Sequence, residues 1–290
     1  MWRIPTAELQ PGRMAVRCET ELNNKRMEKT MILDTIAEKT RIRTAARKQE
    51  FPLENLRREA EKREKNTGFP LEQALAAEGL SFICEIKKAS PSRGLIAPDF
   101  PYLEIASDYE AAGAAAISVL TEPEFFLGRD SYLREIAGRV SIPVLRKDFT
   151  VDAYMIYEAK LLGAAAVLLI CAILTEEELK GFIALADSLG LSALVEAHDE
   201  KEVEMALRCG ARILGVNNRD LKTFRVDITN SVRLRQLVPP HILFVSESGM
   251  KTPEDIRTLR ENGTNAVLIG ETLMRSPDKR RELDRLRGNL

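Results

Sequence analysis

Cysteine and histidine are scarce in this chain, and their scarcity argues against several kinds of site. Four cysteines and two histidines occur among 290 residues. The cysteines form no Cys-x-x-Cys pair, and His198 and His241 lack the spacing of metal ligands. Neither a disulfide framework nor a zinc site is indicated. We therefore expect reduced thiols, a cytoplasmic location and no bound metal.

The chain also lacks a net charge and a long apolar run. Lys plus Arg total 43 and Asp plus Glu total 44, so no overall field attracts nucleic acid or an anionic membrane. No apolar stretch approaches the ~20 residues that a membrane-spanning helix needs. The expected partner is therefore a small molecule, and an anionic one would have to be bound by local groups.

The first 80 residues differ in pattern from the rest. Residues 1–30 are polar and arginine-bearing with little periodicity, and we expect a disordered tail or an upstream start codon chosen in error. From residue 31 apolar side chains recur at helical spacing, and Pro52 and Pro70 each begin a further helix. Residues 31–80 are therefore predicted to be a helical extension.

From residue 81 onward, short apolar runs alternate with helical patterns, which is typical of repeated βα units. The runs predicted as strands are 82–87, 115–120, 143–147, 166–170, 192–196, 213–217, 242–247 and 266–270. A doubly wound sheet usually has fewer strands. Eight consecutive units therefore predict an α/β fold in which residues 81–290 form a closed (β/α)₈ TIM barrel.

Charged or amide side chains end five of these strands, and active sites of such barrels lie at the carboxyl ends. Side chains alternate between faces along a strand, and these residues share the parity of the inward apolar ones. We expect them to converge at the barrel mouth, with Arg219 close by. They are Glu85, Lys87, Lys147, Glu196, Asn217 and Glu247.

Three loops have the composition of a phosphate site. Ser248 and Gly249 follow the seventh strand, and Gly270 and Glu271 end the eighth, where this architecture commonly binds phosphate through backbone N–H groups. Ser90 lies in a rigid polar loop after the first strand. The carboxylate of Glu271 would have to point away from a bound phosphate while its N–H donates.

The predicted site contains three acidic and three basic side chains. It contains no histidine or cysteine nucleophile paired with a base. This balance favours acid–base catalysis without a cofactor, in which lysines of lowered pKa donate protons and glutamates accept them. A Schiff base on Lys87 or Lys147 stays open. Metal binding would favour histidine or carboxylate clusters without intervening lysines.

Six ordered motifs carry a family resemblance over about residues 31–285. They are Cys-Glu-Ile-Lys-Lys-Ala-Ser-Pro-Ser-Arg-Gly (84–94), Val-Leu-Arg-Lys-Asp-Phe (144–149), Leu-Val-Glu-Ala-His (194–198), Gly-Val-Asn-Asn-Arg-Asp-Leu (215–221), Ser-Glu-Ser-Gly (246–249) and Leu-Ile-Gly-Glu (268–271). Together they resemble the indole-3-glycerol phosphate synthase family of tryptophan biosynthesis. The resemblance implies a lyase that closes 1-(2-carboxyphenylamino)-1-deoxyribulose 5-phosphate to an indole with loss of carbon dioxide and water.

The resemblance also implies roles for the residues at the strand ends. Lys147 would be the general acid that protonates the ketone oxygen, and Lys87 would assist loss of the hydroxyl. Either Glu85 or Glu196 would be the base, and the assignment of both lysines and both glutamates to steps stays open. Asn217 would orient the sugar hydroxyls, Arg219 the carboxylate side, and Glu247 would complete the charge balance. The phosphate would be bound by Ser90, Ser248, Gly249, Gly270 and Glu271.

Two alternatives stay open at this point. The barrel could belong to another phosphosugar isomerase or lyase, since fold and phosphate loops alone do not determine the reaction. It could also be an inactive scaffold, although all six charged positions are present. The resemblance admits association with other tryptophan-pathway enzymes, and residues 89–99, with Gly94 as a pivot, are predicted to form a lid.

Overall fold

A computed structural model describes residues 32–220 and 225–289. The predicted tail, residues 1–30, lies outside the described residues. Within them, the chain begins with a helical extension, in which α1 covers 32–50, α2 covers Leu53–Glu61 and α3 covers Pro70–Leu75. None of the described helices combines the length and the apolar character needed to cross a bilayer.

In the part of the chain that the structure describes, eight parallel strands close into a barrel because the first pairs with the last. The strands are β1 Ser81–Ile86, β2 Ala116–Leu120, β3 Val144–Lys147, β4 Ala166–Ile170, β5 Ser192–Ala197, β6 Ile213–Asn217, β7 Leu243–Glu247 and β8 Ala266–Ile269. Each overlaps a run predicted from the sequence. The (β/α)₈ barrel with a helical extension is therefore confirmed.

Helices surround the barrel. They are α4 Tyr102–Ala111, α5 Asp130–Ala137, α6 Ala153–Leu161, α7 Glu176–Ser188, α8 Glu200–Arg208, α9 Thr229–Arg235, α10 Pro253–Glu261, α11 Glu271–Arg275 and α12 Lys279–Arg287. Helices α4 to α10 connect consecutive strands, and α11 and α12 follow the last strand. Local sequence determines several of their starts. Thr175 and Thr252, for example, each form a capping box with the acidic residue three positions later.

The strands bury both faces, which explains their nearly continuous apolar runs. Inward side chains such as Ile83, Leu145, Leu194 and Val245 fill the barrel, while outward ones pack against the surrounding helices. Leu71 of α3 is fully buried in the same inner cluster. Helix α3 therefore closes the amino-terminal end of the barrel, and the chemistry is left to the opposite end.

Charged contacts attach α1 to the loops at the carboxyl end. Arg43 lies 3.3 Å from Asp148, and Arg47 lies 2.7 Å from Asp130. The apolar side of α1 then reaches the barrel mouth through Ile36, which is buried. These pairs join residues more than 80 positions apart, so the helical extension forms part of the site's wall.

Candidate active site

A cavity of about 360 Å³ opens at the carboxyl ends of the strands. This volume lies within the range of ordinary small-molecule sites. The structure brings all twelve site residues predicted from the sequence to its wall. They are Glu85, Lys87, Ser90, Lys147, Glu196, Asn217, Arg219, Glu247, Ser248, Gly249, Gly270 and Glu271.

Lys147 lies between carboxylates at the end of β3. Its Nζ is 3.5 Å from Glu196 Oε2 and 3.4 Å from Glu247 Oε2. Burial alone would lower the pKa of Lys147, but the charges of Glu247, Glu196 and Glu85 outweigh it and raise the pKa above its usual range. The expectation of a lowered pKa is therefore wrong for this lysine. Lys147 is an ammonium at neutral pH, which suits a proton donor and disfavours a Schiff-base amine.

Glu247 differs from the other two carboxyl groups of this cluster, Glu85 and Glu196, in the direction of its pKa shift. Burial, together with the charges of Glu196 and Glu85, raises its pKa to about 8 against the opposing effect of Lys147. Its Oε1 lies where a Cβ on Gly215 would be only 2.3 Å away, so β6 must have glycine there. Glu247 is therefore the carboxyl group of the cluster that is protonated most easily.

Glu85 and Lys87 form a second pair at the end of β1. Lys87 Nζ donates to Glu85 Oε1, and Glu85 is 4% exposed. Burial raises the pKa of Glu85, but Lys87 and Lys147 outweigh this effect and lower it overall. The site therefore contains two separate acid–base pairs on different strands.

Glu196 is the most fully contacted carboxylate. Its Oε1 accepts from Asn217 Nδ2 at 3.3 Å, and His198 Nε2 lies 3.4 Å from the same oxygen. Burial raises the pKa of Glu196, but Lys147 and His198 outweigh it and lower the pKa well below its usual range. Sequence reasoning missed His198, although it follows Glu196 by two residues and so shares its side of the strand.

The predicted phosphate loops also border the cavity. Ser248 and Gly249 both have positive φ, 65° and 101°, and a Cβ on Gly249 would come within 2.5 Å of Val226. The side chain of Glu271 forms ion pairs with Arg93 and Arg275, which also line the cavity, at 3.1 and 3.2 Å. That its carboxylate points away from a bound phosphate stays a prediction.

The loop after β1 contributes polar atoms and an unexpected hairpin. Ala89–Ser90 pairs antiparallel with Gly94–Leu95, and Ser90, which adjoins the turn, is buried. Arg219, after β6, approaches from the other side, and burial lowers the pKa of its guanidinium. The lid function of residues 89–99 stays a prediction.

An apolar wall completes the cavity, and sequence reasoning missed it. Ile32 and Ile36 of α1 line it together with Phe126, Phe149 and Leu120. The rings of Phe126 and Phe149 are 6.0 Å apart between centroids. This wall is suited to a planar aromatic group, whereas the charged strand ends are suited to groups that exchange protons.

The next feature is the arrangement of possible metal ligands among the described residues. Within 32–220 and 225–289, no group of three or more His, Cys, Asp or Glu side chains is placed to hold a metal ion. Lysines stand between the carboxylates at the barrel mouth. The donor set of the cavity is thus suited to proton transfer.

Gly270 lies against the Glu85–Lys87 pair, so a substitution of Gly270 tests how tightly this pair is packed. A Cβ at this position would lie 2.5 Å from Glu85 Oε1 and 3.1 Å from Lys87 Nζ. We expect Gly270→Ala to lower kcat on the order of 10²-fold, because catalytic groups displaced by about 1 Å lose activity on that scale. Steady-state kinetics would measure the loss.

Gly181 is the matched control for that substitution. It lies inside α7, and a methyl side chain placed there would meet no neighbouring atom within 4 Å. Gly181→Ala should therefore keep full activity and gain roughly 0.5–1 kcal/mol in stability. Equal activity of the two variants would mean that the Glu85–Lys87 geometry does not matter for turnover.

Comparisons with known proteins agree on one family. A family model described as "Indole-3-glycerol phosphate synthase" matches residues 33–286. A protein of that name from Ruminiclostridium cellulolyticum is 62% identical over 259 residues, covering 89% of this chain and 100% of the relative. Another from Lachnoclostridium phytofermentans is 54% identical over 261 residues, covering 86% of this chain and 96% of the relative.

Solved structures support the fold at much lower identity. The chain resembles 3-hexulose-6-phosphate synthase from Salmonella typhimurium with a TM-score of 0.60 and 13% identity, covering 73% of this chain and 98% of that one. That likeness concerns the barrel alone. The family model, the two relatives and the barrel mouth described above lead to the same conclusion: the chain belongs to the indole-3-glycerol phosphate synthase family.

Proposed function

We propose that this protein closes 1-(2-carboxyphenylamino)-1-deoxyribulose 5-phosphate to indole-3-glycerol phosphate, releasing carbon dioxide and water. The observation that carries the proposal is the Lys147 ammonium, held between Glu196 and Glu247 in a cavity with an apolar wall. Such a group can protonate a ketone while an aromatic carbon attacks it. The family membership supports the same reaction.

The substrate would lie across the cavity with its phosphate at the β7 and β8 loops. Backbone N–H groups of Gly249, Gly270 and Glu271, with Ser90 and Ser248, would bind the phosphate. The carboxyphenyl ring would lie against the wall that contains Phe126 and Phe149. This orientation places the ketone between the two acid–base pairs.

The first chemical step is ring closure. Lys147 Nζ donates its proton to the ketone oxygen as the ring carbon that bears the carboxylate attacks the carbonyl carbon. Loss of carbon dioxide then restores the aromatic ring and leaves a hydroxyl on the new five-membered ring. Because Lys147 is an ammonium before the step, it needs no prior protonation.

The second step is dehydration. Lys87 protonates the hydroxyl so that it leaves as water, and a carboxylate accepts the proton that the new ring loses. Glu85 is already paired with Lys87, so Glu196, ionised and placed by Asn217, is assigned as the base. Asn217 also orients the sugar hydroxyls, Arg219 the carboxylate side, and Glu247 keeps the cluster's charge in balance.

The proposal also covers the location of the protein and its partner proteins. We assign it to the cytoplasm and to association with other enzymes of tryptophan biosynthesis. Support for both comes from the biosynthetic role of the family. Neither assignment depends on the order of proton transfers above.

The decisive test mixes the purified protein with the carboxyphenylamino substrate in EDTA, with no added cofactor. Indole fluorescence should rise with time, because the side chains of the cavity supply every proton that the reaction requires. An absence of fluorescence from folded protein that still binds inorganic phosphate would reject this reaction. It would favour another phosphosugar isomerase or lyase on the same barrel.

A further inference from the structure

His198 lies just outside the cavity, behind Glu196. It comes directly after β5, and its Nε2 is buried 3.4 Å from Glu196 Oε1. This distance is longer than an ordinary hydrogen bond, and within the described residues that nitrogen has no other hydrogen-bond partner. A buried ring nitrogen is thus directed at a carboxylate of the site.

Glu202 of α8 fixes the other side of the ring. Its Oε2 accepts from His198 Nδ1 at 3.0 Å and from the His198 backbone N–H at 2.8 Å. The position of Glu202 is itself determined by the helix start, because Asp199 Oδ1 accepts from its N–H at 3.0 Å. Asn230 Nδ2 donates to the His198 carbonyl at 3.2 Å. The ring therefore has little freedom to turn away from Glu196.

We propose that His198, an imidazolium held by Glu202, is a positioning residue that keeps Glu196 ionised and turned toward Asn217 and Lys147. This inference rests on the proposed function, in which Glu196 is the base of the dehydration step. His198 itself does not line the cavity. It acts on the substrate only through the carboxylate.

Electrostatics supports this role. A cation about 3.4 Å from a carboxylate in a buried setting favours the charged form of both groups. Burial lowers the pKa of His198, but Glu196 and Glu202 outweigh it and raise the pKa to about 10. The charged groups that act on Glu196 or His198 are Lys147, Glu85, Glu247 and Glu202. Burial raises the pKa of the Cys171 thiol, which also lies close enough for the charges of Glu202, Glu196 and Asp199 to raise it further.

Kinetics can separate this role from a structural one. His198→Asn keeps an amide donor and removes the charge, so the acid limb of the kcat/KM profile should move to higher pH. A shift of one unit in the pKa that governs the acid limb gives about a tenfold loss of kcat/KM on that limb. Above pH 8 the activity should stay within about threefold of the parent, and KM should be unchanged. Glu202→Gln should shift the acid limb in the same direction. It replaces His198→Asn in the experiment if that variant does not fold.

Nuclear magnetic resonance gives a readout that needs no substrate. The chain has two histidines, and His241→Gln, at an exposed position, leaves the ring of His198 as a single signal. That ring should stay an imidazolium above pH 8, and its titration midpoint should fall in Glu196→Gln and in Glu202→Gln.

Two results would overturn the inference. One is a neutral His198 ring at pH 7 in the His241→Gln protein. The other is an equal loss of activity at every pH in His198→Asn, which would indicate a structural role. Failure of the proposed function would look different, because the parent protein would then form no indole product while the ring titration stayed as described.

Discussion

The Lys147→Ala variant is expected to lose about 10²- to 10⁴-fold in kcat for indole formation, the range that a positioned general acid contributes. Alanine removes the ammonium that is proposed to protonate the ketone oxygen. It also removes the cation between Glu196 and Glu247, so these carboxyl groups must share protons instead of holding an ammonium. Stopped-flow fluorescence under single-turnover conditions would measure the chemical step directly.

Lys88→Ala is the matched control for that experiment. Lys88 is adjacent in sequence to the site lysine Lys87 but does not line the cavity, and its Nζ lies 5.9 Å from the centre of the Phe100 ring. Its loss should leave kcat near that of the parent. Circular dichroism of both variants would show whether the barrel is intact. Near-normal turnover in Lys147→Ala would transfer the role of acid to Lys87.

The positions of the site residues were predictable because two simple regularities act together. Side chains alternate along a strand, and a closed parallel barrel brings all carboxyl ends to one rim. Glu85, Lys147, Glu196, Asn217 and Glu247 therefore had to converge once the strands were recognised. No knowledge of contacts between distant segments was needed for this step.

Protonation states could not be predicted in the same way. The raised pKa of Lys147 arises from Glu247, Glu196 and Glu85 on three other strands, and the sequence gives no distances between them. Local patterns suggested only burial, which acts in the opposite direction. The sign therefore depended on tertiary geometry.

The position of α1 in the wall of the cavity could not be predicted from the sequence, for a related reason. The helix itself is visible as an apolar periodicity, but its place over the barrel depends on pairs such as Arg43 with Asp148 and Arg47 with Asp130. Charged residues on an amphipathic helix ordinarily face water. Nothing in their spacing distinguishes these arginines from solvated ones.

Sequence reasoning did not single out Arg146, because a charged side chain is ordinarily exposed. Its side chain is instead among the most buried in the described part of the chain, at 1% exposed. Its Nη2 lies 2.9 Å from Asp130 and 2.7 Å from Glu158, and its Nη1 donates to the Met155 carbonyl at 2.9 Å. It thus ties β3 to α5 and α6.

The Arg146→Met variant is expected to lose about 3–5 kcal/mol in free energy of unfolding, because removal of one partner from a buried ion network leaves uncompensated charges. Arg208→Met is the control, since its pair with Glu176 is about half exposed and surface pairs contribute little. Urea unfolding followed by circular dichroism at pH 7 would compare the two. Equal midpoints for the two variants would contradict the argument.

The pH dependence of the stability lost in Arg146→Met identifies the cause of the loss. Burial raises the pKa of Asp130, but Arg146 and Arg47 outweigh it and lower the pKa overall. Its pairing therefore stabilises the native protein above the carboxyl's unfolded pKa and is lost as pH falls through the lower native value. Without Arg146 the native pKa of Asp130 rises, so acid neutralises the unpaired charge. The difference between parent and variant should shrink from pH 7 toward pH 4, whereas a loss caused by packing alone would not change with pH.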